Sequence, residues 1–360
     1  MPAFAAPSES DLTPGFGAVP YGASPQNSIE FFQPGSRPTA YLMTFNFNIQ
    51  RQLPGRVVVE TSYLSTLGRK LDATAAVTLN QVRPELMGPG NAQLRRPYPQ
   101  FTDVTLISQP LGNSNYHALN IKVEKRYSMG LHFITNYTFT KAIDDVESRG
   151  ELGGSGGNGF QNAYNRRGDR GLSGNSIKHS WVTGMVYELP FGKARRFTIA
   201  NALANGALGG WTLGYSGVIR TGPPYGVIEQ TNNTNSFSPS NRPNIVGDPA
   251  LPGGRPRAEQ VTGWFNTAAF AAPPQYVFGD GGRTTGYGPG AIAMDLSVLK
   301  DFKFGERYTL QFRTEAMNFI NNPNFDLPNL NRGAAAFGRI TSLIDTNQAR
   351  IIQLGLHFKF

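Results

Sequence analysis

The sequence predicts an all-β protein: an antiparallel transmembrane β-barrel, present in part as about 9–12 strands of a larger barrel. Three observations carry that expectation. Apolar and polar residues alternate with period two through segments of ten or more residues, the connections between segments alternate short and long, and the composition is loop-rich, aromatic and poor in charge. Of 360 residues, 42 are glycine and 26 proline, roughly a fifth against about 12% in ordinary chains. That argues against long helices and for many turns. Aromatics at 11% and charged residues at 16% are the reverse of a disordered composition. No apolar run approaches the ~18 residues that a membrane helix requires.

The segments follow in order. Over 39–51, Tyr41, Met43, Phe45, Phe47 and Ile49 share one face and Thr44, Asn46, Asn48 and Gln50 the other. Pro54-Gly55 turns the chain, which returns through Val57, Val59, Thr61 and Tyr63. Over 116–127, Leu119, Ile121, Val123 and Tyr127 oppose Asn120, Lys122, Glu124 and Arg126. Ser128-Met129-Gly130 leads into Leu131, Phe133, Tyr137 and Phe139, which completes an antiparallel hairpin. The pattern recurs at 179–189, 211–221, 292–304 and 308–318. It closes over 350–360 with Ile352, Leu354, Leu356, Phe358 and Phe360.

Alternation also suits a soluble sandwich, but sandwich strands average about 5–6 residues. A strand of ~10 residues tilted ~45° rises about 23 Å, close to the apolar band of an outer-membrane barrel. The polar face carries charges at mid-strand, which suits a wet lumen better than a second packed sheet, and the polar-face charges Lys122, Glu124, Arg126, Glu188, Arg220, Arg313 and Glu315 are the lumen-facing candidates. The connections at 54–55, 128–130 and 305–306 are short, that at 190–210 is intermediate, and those at 67–115, 142–177, 222–290 and 321–348 are long. Barrels show this asymmetry, with periplasmic turns and extracellular loops. Tyr127, Tyr187, Phe191, Phe302, Phe304, Tyr308, Phe358 and Phe360 crowd the short-turn side like an interfacial girdle.

Other chemistry finds little support. With no cysteine there is no disulfide, thiolate zinc site or cysteine nucleophile, and four scattered histidines lack metal-ligand spacing. The net charge of +9 is spread in small pairs such as Arg95-Arg96 and Arg166-Arg167, not in a nucleic-acid-binding module. Gly154-Ser155-Gly156-Gly157-Asn158-Gly159 fits a dinucleotide fingerprint but sits in a polar loop with no following helix, so a flexible loop is expected there. Asp144, Asp145 and Glu147, with Glu151 nearby, form a weak carboxylate cluster for a hard cation, and solvation is the plainer reading. Arg167-Gly168-Asp169 is too short a motif to use. No nucleophile–base set can be assembled, so neither an enzyme nor a cofactor is expected.

Several motifs resemble one family when their order and spacing are taken together. They are Leu79-Asn80-Gln81, Arg95-Arg96-Pro97-Tyr98-Pro99, Gly112-Asn113-Ser114-Asn115-Tyr116, Tyr137-Thr138-Phe139-Thr140-Lys141-Ala142-Ile143-Asp144-Asp145, and Tyr187-Glu188-Leu189-Pro190-Phe191-Gly192. Arg242-Pro243-Asn244, Trp264-Phe265-Asn266-Thr267-Ala268-Ala269-Phe270 and Asn318-Phe319-Ile320-Asn321-Asn322-Pro323-Asn324-Phe325 follow. From about Tyr41 onward the chain resembles the C-terminal barrel of Oar-like TonB-dependent outer-membrane receptors of the acidobacterial type.

The resemblance implies energised uptake of an unknown ligand and, as partners, outer-membrane lipid, the barrel assembly machinery, and the TonB complex acting through an N-terminal plug. The last strand resembles an assembly signal, carried by Leu354, Leu356, Phe358 and Phe360. Residues 1–38 are expected to be a poorly structured segment or loop ahead of a barrel region at 39–360. Signal peptide, plug and TonB box are not visible in this sequence. An odd count of nine strands, with the first and last running the same way, implies an open piece of a larger barrel. A structural or adhesive surface protein and a passive porin are the competing readings.

Overall fold

A computed structural model describes residues 28–31, 38–73, 77–106, 109–145, 160–193, 195–239, 241–304, 307–346 and 349–360. Most of segment 1–38, the carboxylate Glu147 and the glycine-rich 154–159 lie outside the described residues.

The frame is a ten-stranded antiparallel sheet with nine long strands in chain order. These are β1 (Tyr41–Leu53), β2 (Val57–Ala73), β3 (Gln109–Ser128), β4 (Leu131–Asp144) and β5 (His179–Glu188). They continue as β6 (Trp211–Arg220), β7 (Ala291–Phe304), β8 (Tyr308–Met317) and β9 (Ile351–Lys359). The tenth member is the two-residue strand Gly171–Leu172 beside β4. Every alternating segment of the sequence is one of the long strands. The sheet is not closed: β1 and β9 are its two outer strands and do not pair with each other.

Turn chemistry explains the tight end. Between β3 and β4 only Met129 (φ +52°) and Gly130 (φ +80°) lie outside the Ser128–Leu131 pair. Two consecutive positive φ angles make the turn whose twist matches that of the flanking strands. A Cβ at Gly130 would also press on the Glu188 carbonyl at 2.8 Å.

Register sorts the side chains into two faces. Phe45, Tyr63, Leu119, Phe139, Trp181, Ile219 and Leu356 fall on the apolar one. It is bare: Phe45 is 61% exposed, Leu354 72% and Leu356 71%. A water-soluble domain buries such a band, whereas a lipid-facing wall presents it. The hydrophobic core lies instead among the long connections, where Tyr225, Val227, Phe265, Ala269, Phe270 and Leu330 pack together.

Three details differ from the sequence reading. First, β2 and β3 run on to Ala73 and back to Gln109, well past the alternating stretch, with register shifts at Arg69/Leu71 and Leu71/Ala73. Alternation marks only the part of a strand whose outer face must be apolar; beyond it the hydrogen-bond ladder continues without that constraint. The short strands Val77–Thr78 and Val104–Leu106 pair with each other, and Ile29–Phe31 joins them, so they form a separate small sheet and not extra wall strands.

Second, Tyr127 does not belong to the apolar girdle. A β-bulge sets Arg126 and Tyr127 together opposite His132, and the Tyr127 hydroxyl donates to Glu188 Oε1 at 2.8 Å on the polar face. Third, aromatic side chains also ring the loop end. There Tyr63 bonds His117 Nδ1 at 2.8 Å and Tyr137 bonds His179 Nδ1 at 2.7 Å. At the tight end Tyr308, Phe358 and Phe360 stack with centroids 5.8 and 6.2 Å apart.

Candidate functional site

By register Lys122, Glu124, Glu188, Arg220, Arg313 and Glu315 fall on the face opposite the apolar band, while Arg126 lies in the bulge beside Tyr127. They form separate groups and not a single constellation. Lys122 lies beside Glu60 of β2 and 3.3 Å from Glu124. Glu60 accepts from Asn48 Nδ2 at 2.5 Å, which extends this group to β1. Five strands further along the sheet, Arg313 and Glu315 of β8 form a second pair, with Nε donating to Oε1 at 2.7 Å. Glu188 takes Tyr127 and, at 2.6 Å, Arg195 from the β5–β6 connection. Arg220 closes β6 at the loop end, opposite Ser180 and Ala291. Half-exposed ion pairs of this kind contribute little stability, so their use is to keep the face polar.

The long connections build a cap over one end of the sheet. Asn80 and Gln81 are fully buried. Asn80 Nδ2 donates to the Tyr98 and Phe101 carbonyls, both at 3.0 Å, while its Oδ1 accepts from Tyr98 N at 2.9 Å. Gln81 Oε1 accepts from Ala163 N at 2.7 Å and so ties the β2–β3 connection to the β4–β5 connection. Arg96 donates to the Asn80 carbonyl at 2.7 Å and to Asp103 at 2.8 Å. Burial holds its guanidinium below the usual range, against the pull of Asp103.

Two buried ion pairs anchor the cap. Arg283 lies 2.5 Å from Asp144, and Arg242 pairs with Asp169. Arg283 Nη1 also donates to the Asp169 carbonyl at 3.1 Å, which joins the two pairs. Asp144 is therefore engaged by an arginine. Asp145 accepts from Asn113 N at 2.6 Å and Asn113 Nδ2 at 3.1 Å. Asp169, the acid of the adhesion-like tripeptide, is 5% exposed. Among the described residues no group of three or more metal-ligating side chains gathers. Sequence reasoning missed Arg242, Arg283 and Asp169, because only the folded loops bring them together.

Among the described residues, two clefts of note open in the cap. One of about 470 Å³ is lined by Asn113, Asp145, Tyr164, Arg166, Arg167 and Arg170. The other, about 490 Å³, is lined by Tyr225, Asp248, Arg255, Trp264, Phe265 and Tyr287. Both have the size of small-molecule sites. Burial raises the Tyr225 hydroxyl above its ordinary range.

An open sheet with an apolar band on one face, a polar opposite face and loops folded over one end defines a membrane-barrel wall. The chain belongs to the outer membrane beta barrel domain family, whose profile matches residues 2–353. That membership places it in the outer membrane. The outer membrane transporter YddB from Escherichia coli is similar at 9% identity with a TM-score of 0.44. The alignment covers 92% of this chain and 34% of the YddB chain, so the chain spans about a third of that protein. No curated protein matches the chain.

Proposed function

We propose that this chain is the barrel portion of an Oar-like, TonB-dependent receptor that takes up a scarce ligand. The observation that carries the reading is the cap: the long connections fold into one hydrogen-bonded unit with ligand-sized clefts, as ligand capture requires and a simple pore does not. The open sheet, in which the outer edges of β1 and β9 have no partner among the described residues, fits a wall completed by further strands of a longer protein. The polar groups Lys122–Glu124, Arg313–Glu315 and Tyr127–Glu188–Arg195 would then face a lumen and the plug within it.

The decisive experiment compares nutrient depletion by the host, by a strain lacking the intact gene, and by a strain lacking TonB. Loss of the same compound in both mutants is expected. Uptake that survives TonB loss, together with steady single-channel conductance of the purified protein, would establish a passive porin instead. Wild-type uptake without the gene would favour a structural or adhesive surface protein.

A further inference from the structure

The β5–β6 connection differs from the other tight-end connections. Residues 189–210 include Lys193, Arg195 and Arg196 and not one acidic residue. Its second half folds into a helix, α1 (Ala202–Leu208), whose N-cap Asn201 accepts from Ala204 N at 3.0 Å.

The position of α1 is set by Lys300. That residue stands opposite Trp211 in the β6–β7 register, on the same side of the sheet as Val298, Leu296 and Phe302, which is the apolar face. The residue is 2% exposed; its ammonium lies 4.8 Å from the Trp211 ring centroid and 5.1 Å from that of Phe302, and donates to the Ala207 and Gly209 carbonyls at 2.8 and 2.9 Å. Trp211 Nε1 donates to Ala207 O at 2.9 Å. A bare ammonium on the lipid side of a barrel is costly. Here the carbonyl end of a helix accepts it, with favourable dipole alignment. Lys300 and Trp211 thus clamp α1 to the outside of the wall at its tight end.

What α1 and its flanks present outward is apolar. Leu203 is 86% exposed, Leu208 58%, Phe197 50% and Phe191 42%. The two phenylalanine rings stack at 5.5 Å. Arg195 is drawn back to Glu188, while the exposed Lys193 and Arg196 flank the apolar patch.

We propose that this connection is a membrane-surface foot. Resting on the reading of the sheet as a membrane wall, Leu203, Leu208, Phe191 and Phe197 enter the acyl boundary of the leaflet at the tight end. Lys193 and Arg196 meet anionic phospholipid headgroups there. The occupant follows from position and charge: the patch is continuous with the lipid-facing wall and carries only cations, the pattern of an interfacial anchor.

The absence of cysteine from this chain makes spin labelling direct. The intact protein would carry a nitroxide at L203C or, as a reference on the wall, L354C, in phosphatidylethanolamine–phosphatidylglycerol bilayers. At both sites collision with oxygen should exceed collision with a water-soluble nickel chelate. K193Q with R196Q should lower the oxygen accessibility at L203C toward its value in bilayers without phosphatidylglycerol. Oxygen preference at L354C with nickel preference at L203C would put α1 in water and overturn the foot while leaving the wall intact. Protection of L203C from both reagents would mean that protein covers it, which also overturns the proposal. Nickel preference at L354C would remove the wall itself, and the foot with it. An unchanged L203C signal in the double variant would overturn the headgroup contact.

Discussion

Arg283 and Asp144 meet at 2.5 Å across 139 residues of sequence, joining the end of β4 to the connection between β6 and β7. Both side chains are buried, and the neighbouring Arg242–Asp169 pair interlocks with them, Arg283 donating to the Asp169 carbonyl at 3.1 Å and Arg242 to the Gly281 carbonyl at 3.2 Å. The cap therefore hangs on charges that cannot be removed one at a time.

Asp144→Asn or Arg283→Met should destabilise the cap by about 3–5 kcal/mol, because each leaves an uncompensated buried charge. Removing both partners with apolar replacements should cost less than the sum. Limited trypsin digestion of the folded protein measures this as the rate of cleavage in 222–290. Equal resistance of wild type and single variants would contradict the anchoring role.

On β9 the two faces predict different costs for the same substitution. Leu354→Arg should cost about 2–4 kcal/mol if that position faces mid-bilayer, while Gln353→Arg should cost about 0–1. Reversible folding into bilayers gives both numbers, and equal costs would refute the face assignment.

Glu229 supplies a pH dependence within the cap. Burial raises its carboxyl, and Arg332 at 3.3 Å only partly offsets that. With the folded value above the unfolded one (about 4.3), its contribution is fully present below the unfolded value and is lost as pH rises through the folded one. Glu229→Gln should therefore make the cap more protease-resistant at neutral pH and leave it unchanged near pH 3. A loss of resistance at neutral pH would show that the Arg332 pair dominates.

The terminal ring tests the assembly signal. Deleting Phe360 removes one member of the Tyr308–Phe358–Phe360 stack. The fraction of heat-modifiable, folded protein recovered in outer-membrane fractions should fall severalfold, and replacement by Tyr should restore it. Normal recovery after deletion would leave the last strand as an ordinary edge.

The sequence by itself determined the wall. A strand in a barrel must turn apolar side chains to lipid and polar ones inward, so Tyr41 to Ile49, Leu119 to Val123 and Ile352 to Phe358 state their structure locally. Their chain-order pairing follows from the tight turns. That the charged residues of these strands share the polar face was legible for the same reason: parity alone assigns a face. Where the constraint lapses, so does the signal. The extensions of β2 and β3 above the apolar band were invisible, and the bulge that returns Tyr127 to Glu188 breaks parity without a sequence mark.

The cap belongs to tertiary structure alone. Its glycines, prolines and asparagines read as loop because no period governs them, yet Asn80, Gln81, Asp169, Arg242 and Arg283 are buried there. Their order comes from specific long-range hydrogen bonds and ion pairs, which depend on where the strands deliver the loop ends. The seating of α1 was equally hidden. Lys300 carries no mark in the sequence of this role; only the fold brings the Ala207 and Gly209 carbonyls to it. Period-two patterning is a local consequence of solvent and lipid, whereas partner choice among loops is decided only once the wall exists.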